Sequence, residues 1–290
     1  MNMEKYTIKD LRKDYPHEAA CLDKLFELCY GELKACPKCG VEGAEFRRIT
    51  TRRCYQCREC YHQLYPTAGT IFDKTRTPLT YWFYAMFLMT TTRNGVSAKE
   101  LERALGVTYK TAWRMAISIR ELMGRKKKNA QLKGTVEMDE TYFNSNRDLA
   151  ENHVGRNTDK GTVFAMVERH GNVTALKVED TKKTTLFPII EDNVDKSAKI
   201  MTDEYKTYTN LETLGYDHKT IRHGLKQYVN GAVSTNTVEG FFSQLKRTVR
   251  GTHIWISKKY LQQYVDECCF RYNNREKGSE MFDIMLSYVY

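Results

Sequence analysis

Residues Gly134–Phe143 read GTVEMDETYF, and their alternation decides the fold of the C-terminal half. Val136 and Met138 fall on one side of an extended chain and Glu137 and Asp139 on the other, as in a strand whose two faces meet different surroundings. Downstream, GTVFAMVERHG and NVTALKVED predict a hairpin around Gly171. KKTTLFPIIEDNV predicts a short helix broken or begun at Pro188, and AKIMTDEY a short apolar run ending in an acid. HKTIRH reads as a fifth strand and Asn236–Arg250 as a helix. Strands and helices in this order predict a mixed sheet flanked by helices, with no internal repeat.

Upstream of this stretch the chain changes character. Cys36-Pro-Lys-Cys39 and Cys57-Arg-Glu-Cys60 are separated by seventeen residues, the spacing of a zinc ribbon in which two knuckles hold one Zn²⁺ through four thiolates. Cys54 also forms a C-x-x-C with Cys57 and is the alternative register. Cys21, Cys29, Cys268 and Cys269 sit at apolar helix positions and read as buried free cysteines. Arg47, Arg48, Arg52 and Arg53 make the ribbon basic, which suits phosphate contact and equally a solvated face.

After Pro78, TYWFYAMFLMTTTRNG predicts a buried helix. SAKELERALG predicts a capped helix with Leu101, Ala104 and Leu105 apolar, and Gly106-Val107 a turn. TYKTAWRMAISIRELM then carries Ala112, Met115, Ile119 and Met123 on one stripe. Two short helices around a Gly turn suggest a helix-turn-helix offering Tyr109, Lys110, Thr111 and Arg114 to a major groove, with an ordinary helical hairpin as the alternative.

Across the whole chain, 290 residues are enough for two or more domains. Lys and Arg outnumber Asp and Glu by 46 to 36, a net charge of +10 that favours a polyanionic partner, nucleic acid first. The N-terminus lacks the apolar core of a secretory signal, and the longest apolar run, Tyr81–Met89, is far shorter than a membrane span. The expected setting is cytoplasmic and reducing, where nine cysteines argue for metal ligation over disulfides.

Acids end two of the strand-like runs, Asp139 in VEMDET and Asp203 in IMTDEY, and Glu239, separated from Asp203 by 35 residues, opens a helix. Singly, Asp139 reads as a strand-end residue, Asp203 as a cap, and Asn236 with Glu239 as a capping box. Together, three converging carboxylates call for two Mg²⁺ ions, which suits an in-line phosphoryl displacement. Lys246 lies seven residues after Glu239, on nearly the same helix face. Arg247, Arg250, Lys258 and Lys259 extend a basic segment for a phosphate backbone. Phe241, Phe242, Leu245 and Val249 read as core, as does the stripe Leu261, Tyr264, Val265, Cys268 and Tyr272.

CPKCG with YQCREC, GTIFDKTRTPLTYWFYAMFL, VEMDETYF, IMTDEYKTY, NTVEGFFSQLKR and GTHIWISKKYLQQYVDECCFRYNNR, in this order, cover nearly the whole chain. On these motifs the chain resembles the bacterial insertion-sequence transposases that join a zinc ribbon to a DDE catalytic domain, the ISXO2-like, Merlin-related family. The resemblance implies a multidomain α+β protein: zinc ribbon, helix-turn-helix and a ribonuclease-H-like α/β mixed-sheet catalytic domain. It implies Mg²⁺- or Mn²⁺-dependent cleavage at element ends and transfer of the freed 3′-hydroxyl into target DNA. Asp139, Asp203 and Glu239 would bind the catalytic metal, and Lys246 would be the associated basic residue. Members often carry His where this chain has Ser234, and some use Asn in third place, so Asn236 stands as the alternative to Glu239.

The expected domains are a helical segment and ribbon over 1–66, a helix-turn-helix region over 67–125, a basic linker over 126–134, the catalytic domain over 135–275 and a tail over 276–290. The expected partner is double-stranded DNA, terminal inverted repeats and target, bound by a dimer or larger homo-oligomer associated with the nucleoid, with no membrane role. A DNA-binding regulator with an inactive C-terminal half and another ribonuclease-H-like metal nuclease are the alternatives. A tyrosine recombinase is disfavoured, because nineteen tyrosines do not by themselves supply an Arg-His-Arg cage.

Overall fold

The structure, a computed structural model, describes residues 6–125, 131–144, 160–221, 234–254 and 256–290. The chain divides into two compact units, residues 1–122 with 277–290, and residues 123–276. Part of the expected basic linker, 126–130, lies outside the described residues, as do the end of the HKTIRH run and Trp255.

In the first unit, α1 (Ile8–Asp14) and α2 (Glu18–Tyr30) precede an antiparallel three-stranded sheet of β1 (Phe46–Ile49), β2 (Cys54–Cys57) and β3 (Gln63–Leu64). Phe26 of α2 stacks on Tyr55 of β2 with ring centroids 3.9 Å apart. The apolar segment after Pro78 forms α3 (Leu79–Thr91), with Trp82, Phe83, Met86 and Met89 buried, as its composition predicts. Next come α4 (Ala98–Leu105) and α5 (Tyr109–Met123). Ser97 and Glu100 close a capping box on α4, and Gly106 ends it at φ +65°, a backbone state that glycine adopts without a Cβ penalty. Residues 276–290, expected as a tail, instead carry α9 (Met281–Ser287), whose Phe282, Met285 and Leu286 are buried. Phe282 lies edge-on to Phe83 and Phe87 of α3, so apolar burial explains the ordering.

The second unit is built on a five-stranded mixed sheet in the order β6-β5-β4-β7-β8. Its strands are β4 (Thr135–Asn144), β5 (Lys160–Glu168), β6 (Val173–Val178), β7 (Lys199–Thr202) and β8 (Asp217–Thr220). β4 pairs antiparallel with β5 and β5 with β6, whereas β7 runs parallel to β4 and β8 parallel to β7. Both faces are covered. Val136, Met138, Phe164 and Ile200 pack with Leu186 and Ile190 of α6 (Lys183–Asn193) and with Tyr208. Val163, Ala165 and Val167 pack on the other side with α7 (Asn236–Thr248) and α8 (Leu261–Asn273).

Two local expectations are corrected here. Pro188 neither breaks nor begins α6 but lies inside it, because burial of Leu186 and Ile190 on either side outweighs the missing N–H. Asn236 is not the cap of α7: Thr235 occupies that place without a side-chain cap bond, and Asn236 is the first helical residue.

Candidate active site and zinc ribbon

The ribbon sulfurs come together as their spacing predicts. Cys36, Cys39, Cys57 and Cys60 have all four Sγ atoms within 4.8 Å of one another, and Cys36 Sγ lies 3.6 Å from Cys60 Sγ. A tetrahedron with Zn–S bonds of about 2.3 Å has edges of about 3.8 Å, so the set fits Zn²⁺. Both knuckles share one backbone design: Gly40 N–H donates to Cys36 O at 2.9 Å and Tyr61 N–H to Cys57 O at 3.1 Å. Both closing residues are left-handed, Gly40 at φ +71° and Tyr61 at φ +60°. Cys54 lies outside the cluster, which decides between the two registers.

Asp139 and Asp203 are brought together by strand register. Glu137 pairs with Met201 across parallel β4 and β7. Two residues further along each chain stand Asp139 and Asp203, both half-buried. Asp203 directly follows β7, whereas Asp139 is not a strand end as expected but lies in the middle of β4, because pairing with β5 continues to Asn144. Both neighbour the buried Tyr208 hydroxyl, whose pKa is pushed well above 10.0 by burial first and then by the carboxylates of Glu140, Asp139 and Asp203. Asp203 is not the helix cap its position suggested, because the helical turn that follows, Lys206–Tyr208, has Tyr205 at its cap position. Asp203 Oδ1 instead accepts the Tyr205 N–H at 2.9 Å within the preceding turn, and Asp139 Oδ1 accepts the Glu140 N–H at 2.8 Å.

Glu239 and Asn236 are both exposed on the first turn of α7, and Thr235 Oγ1 donates to Glu239 Oε1 at 3.2 Å. Lys246 is half-buried two turns on. Among the described residues the four ribbon cysteines are the group that gathers ligand atoms within 4.8 Å, and Asp139, Asp203 and Glu239 are not drawn that close. Mutual repulsion favours such spacing of anions.

The residue that sequence reasoning left without a role is Glu137. It is fully buried on the α7 side of the sheet. Its Oε2 accepts the N–H groups of Thr237 at 2.7 Å and Val238 at 3.1 Å, the donors that an N-cap side chain would satisfy. Its Oε1 accepts from Thr237 Oγ1 at 3.0 Å and forms an ion pair with Arg169 Nε at 2.6 Å. A carboxylate is a stronger acceptor than an amide, which is why Glu137 displaces Asn236 as the cap. The signal was an acid beside Asp139 on the same face of a strand, the face that α7 covers.

Of the proposed DNA-contacting residues, Arg47, Lys110, Arg247, Arg250 and Lys259 are exposed, and Lys258 is half-buried. Arg48 pairs with Asp23 at 3.7 Å, and exposed Arg114 reaches Thr77 Oγ1 at 3.4 Å while its guanidinium lies over the Trp82 ring. Arg53 is taken up internally, pairing with Glu18 and donating to the Thr75 carbonyl at 2.8 Å. Among the described residues no helix is long and apolar enough to cross a membrane.

Residues 131–273 match the ISXO2-like transposase domain, and residues 16–63 the transposase zinc-ribbon domain. A protein in transposable element ISH50 of Halobacterium salinarum is 27% identical over 246 residues, 79% of this chain and 82% of its own length. A transposase-like protein of Haemophilus influenzae is 27% identical over 114 residues, 38% of this chain and 87% of its own. A crystal structure of a pre-cleavage Mos1 transpososome is 11% identical, covers 68% of this chain and 75% of that one, and has a TM-score of 0.21. With residues 16–63 and 131–273 so matched and the four ribbon sulfurs clustered, the chain joins a transposase zinc ribbon to an ISXO2-like transposase domain.

Proposed function

We propose that the protein is a DDE transposase that binds the terminal inverted repeats of its insertion sequence, cleaves there and joins the 3′-hydroxyl ends to target DNA. The observation that carries this reading is the β4–β7 register, with Glu137 opposite Met201 and an aspartate two residues beyond each. The sheet order, three antiparallel strands followed by two parallel ones, supports a ribonuclease-H-like catalytic domain.

Asp139 and Asp203 supply hard oxygen ligands from neighbouring strands, and Glu239 supplies the third from the start of α7. Such a donor set fits Mg²⁺ or Mn²⁺, which when bound activates a water or 3′-hydroxyl and neutralises charge on the phosphodiester oxygens. Lys246 grips a DNA phosphate from the same helix as Glu239. Arg247, Arg250, Lys258 and Lys259 hold the backbone with Arg47 and Arg48 of the ribbon, while α5 offers Lys110 and Arg114 to a groove. Two ends must be cut together, so the active species is a dimer or larger on DNA.

The test uses zinc-loaded full-length protein, Mg²⁺ or Mn²⁺, and a labelled duplex carrying the element's terminal inverted repeat. Nicking that leaves a 3′-hydroxyl, followed by joining, is expected in the wild type. Both are lost in Asp139→Asn and Asp203→Asn while end binding survives. A wild-type protein that binds ends and never cuts them would replace this reading with that of a DNA-binding regulator.

A further inference from the structure

Around Glu137 one buried carboxylate joins three parts of the catalytic unit. Besides the α7 amides, Thr237 and Arg169, it accepts from Ser234 Oγ at 3.4 Å. Arg169, just past the end of β5, donates through Nη2 to Ser234 Oγ at 2.7 Å and Ser234 O at 3.0 Å. Its backbone N–H donates to Thr135 O at 2.9 Å, which anchors the main chain of Arg169 at the start of β4.

We propose that Glu137, held by Arg169 and Ser234, is the positioning residue of the metal site, seating α7 so that Glu239 stands opposite Asp139. This inference rests on the transposase reading above. The same strand and helix that carry Asp139 and Glu239 are joined one step away from each. Glu137 lies one pleat repeat, roughly 6.7 Å, from Asp139 on the same face, and its partner amide Val238 is the residue before Glu239. A register slip of α7 would therefore move the third ligand and break the Glu137 bonds together. Tertiary stability alone does not call for this arrangement, because well-packed apolar side chains commonly replace a buried ion pair without loss. A carboxylate with several directed donors instead fixes the helix start in position and rotation.

The experiment compares zinc-loaded full-length wild type with Glu137→Gln, the double variant Glu137→Gln/Arg169→Gln, and Ser234→Ala. Thermal unfolding is read beside Mn²⁺ binding by electron paramagnetic resonance, with Asp139→Asn as the baseline. Glu137→Gln lowers Tm by removing the negative charge beside the Arg169 guanidinium, and weakens Asp139-dependent Mn²⁺ binding by about tenfold or more, the usual range for residues that orient metal ligands. The double variant removes both charges and regains most of the Tm, yet Mn²⁺ binding stays weak. Ser234→Ala, which keeps the ion pair, retains its Tm and still shifts Mn²⁺ binding by about threefold in the same direction.

Wild-type Mn²⁺ affinity in the double variant, or in Ser234→Ala if the double variant does not fold, overturns the positioning role and leaves the transposase reading intact. A wild type with no Asp139-dependent Mn²⁺ binding overturns both.

Discussion

Glu137 Oε2 accepts the backbone N–H of Thr237 at 2.7 Å, across 100 residues of sequence. That contact ties the start of α7, which carries both contenders for the third ligand, to the strand that carries Asp139. Glu239 and Asn236 lie on the same turn, and their replacements separate them. Glu239→Gln is expected to reduce nicking of an inverted-repeat duplex by at least about a hundredfold, whereas Asn236→Ala leaves it within about threefold, since a charged carboxylate holds Mg²⁺ far better than an amide. The reverse order of the two effects would assign the site to Asn236.

The exposed arginines of α7 and the turn after it are expected to act through charge alone. Replacing Arg247 or Arg250 by Ala should weaken binding to specific and unrelated duplexes alike. Each loss should also flatten the plot of log K against log salt by roughly 0.9, the increment for one phosphate contact on duplex DNA. An unchanged slope would remove that arginine from the DNA-binding surface.

The twin knuckles of the ribbon make the same left-handed demand on residues 40 and 61. Gly40→Ala meets no neighbour within 4 Å, so its cost is conformational, about 1 kcal/mol for a left-handed alanine. Tyr61→Gly relieves the same strain at an exposed side chain and is expected to leave zinc retention equal or better. Cys36→Ser removes one thiolate and should sharply weaken zinc retention. Competition with a chromogenic chelator ranks all three, and a Tyr61→Gly ribbon that surrenders zinc faster would show that the tyrosine ring, not its backbone, supports the knuckle.

His218 gives the catalytic unit a pH dependence. Its Nε2 lies 2.8 Å from Thr202 Oγ1, whose single hydroxyl proton is donated to Asp203 O, so Nε2 carries its proton toward Thr202. Burial holds the imidazole pKa below 6.5, against the opposing pull of Glu212 and Asp217. The unfolded chain then binds the extra proton more readily. The contribution to stability is complete above 6.5 and is lost as pH falls toward the folded value. Urea titrations should show wild type losing more stability than His218→Gln between neutral and mildly acid pH. Parallel losses would mean that His218 is not the titrating group.

Much of this architecture is written in local sequence, because its causes are local. Two C-x-x-C pairs at ribbon spacing suffice to gather four sulfurs, the period-two run around Asp139 suffices to make a strand, and Ser97 with Glu100 caps α4 from within its own first turn. Residue identity and period carry that information, whatever the remainder of the chain does. Tertiary structure alone decided what depended on distant partners. Pro188 stays inside α6 because its neighbours are buried, and Phe282 orders the C-terminal residues by reaching α3. Thr235 became the cap position of α7 because Glu137, 100 residues before Thr237, satisfies the helix amides that Asn236 was expected to serve nearby. A hydrogen bond across that separation leaves no periodic trace in either segment, and only folding brings donor and acceptor together.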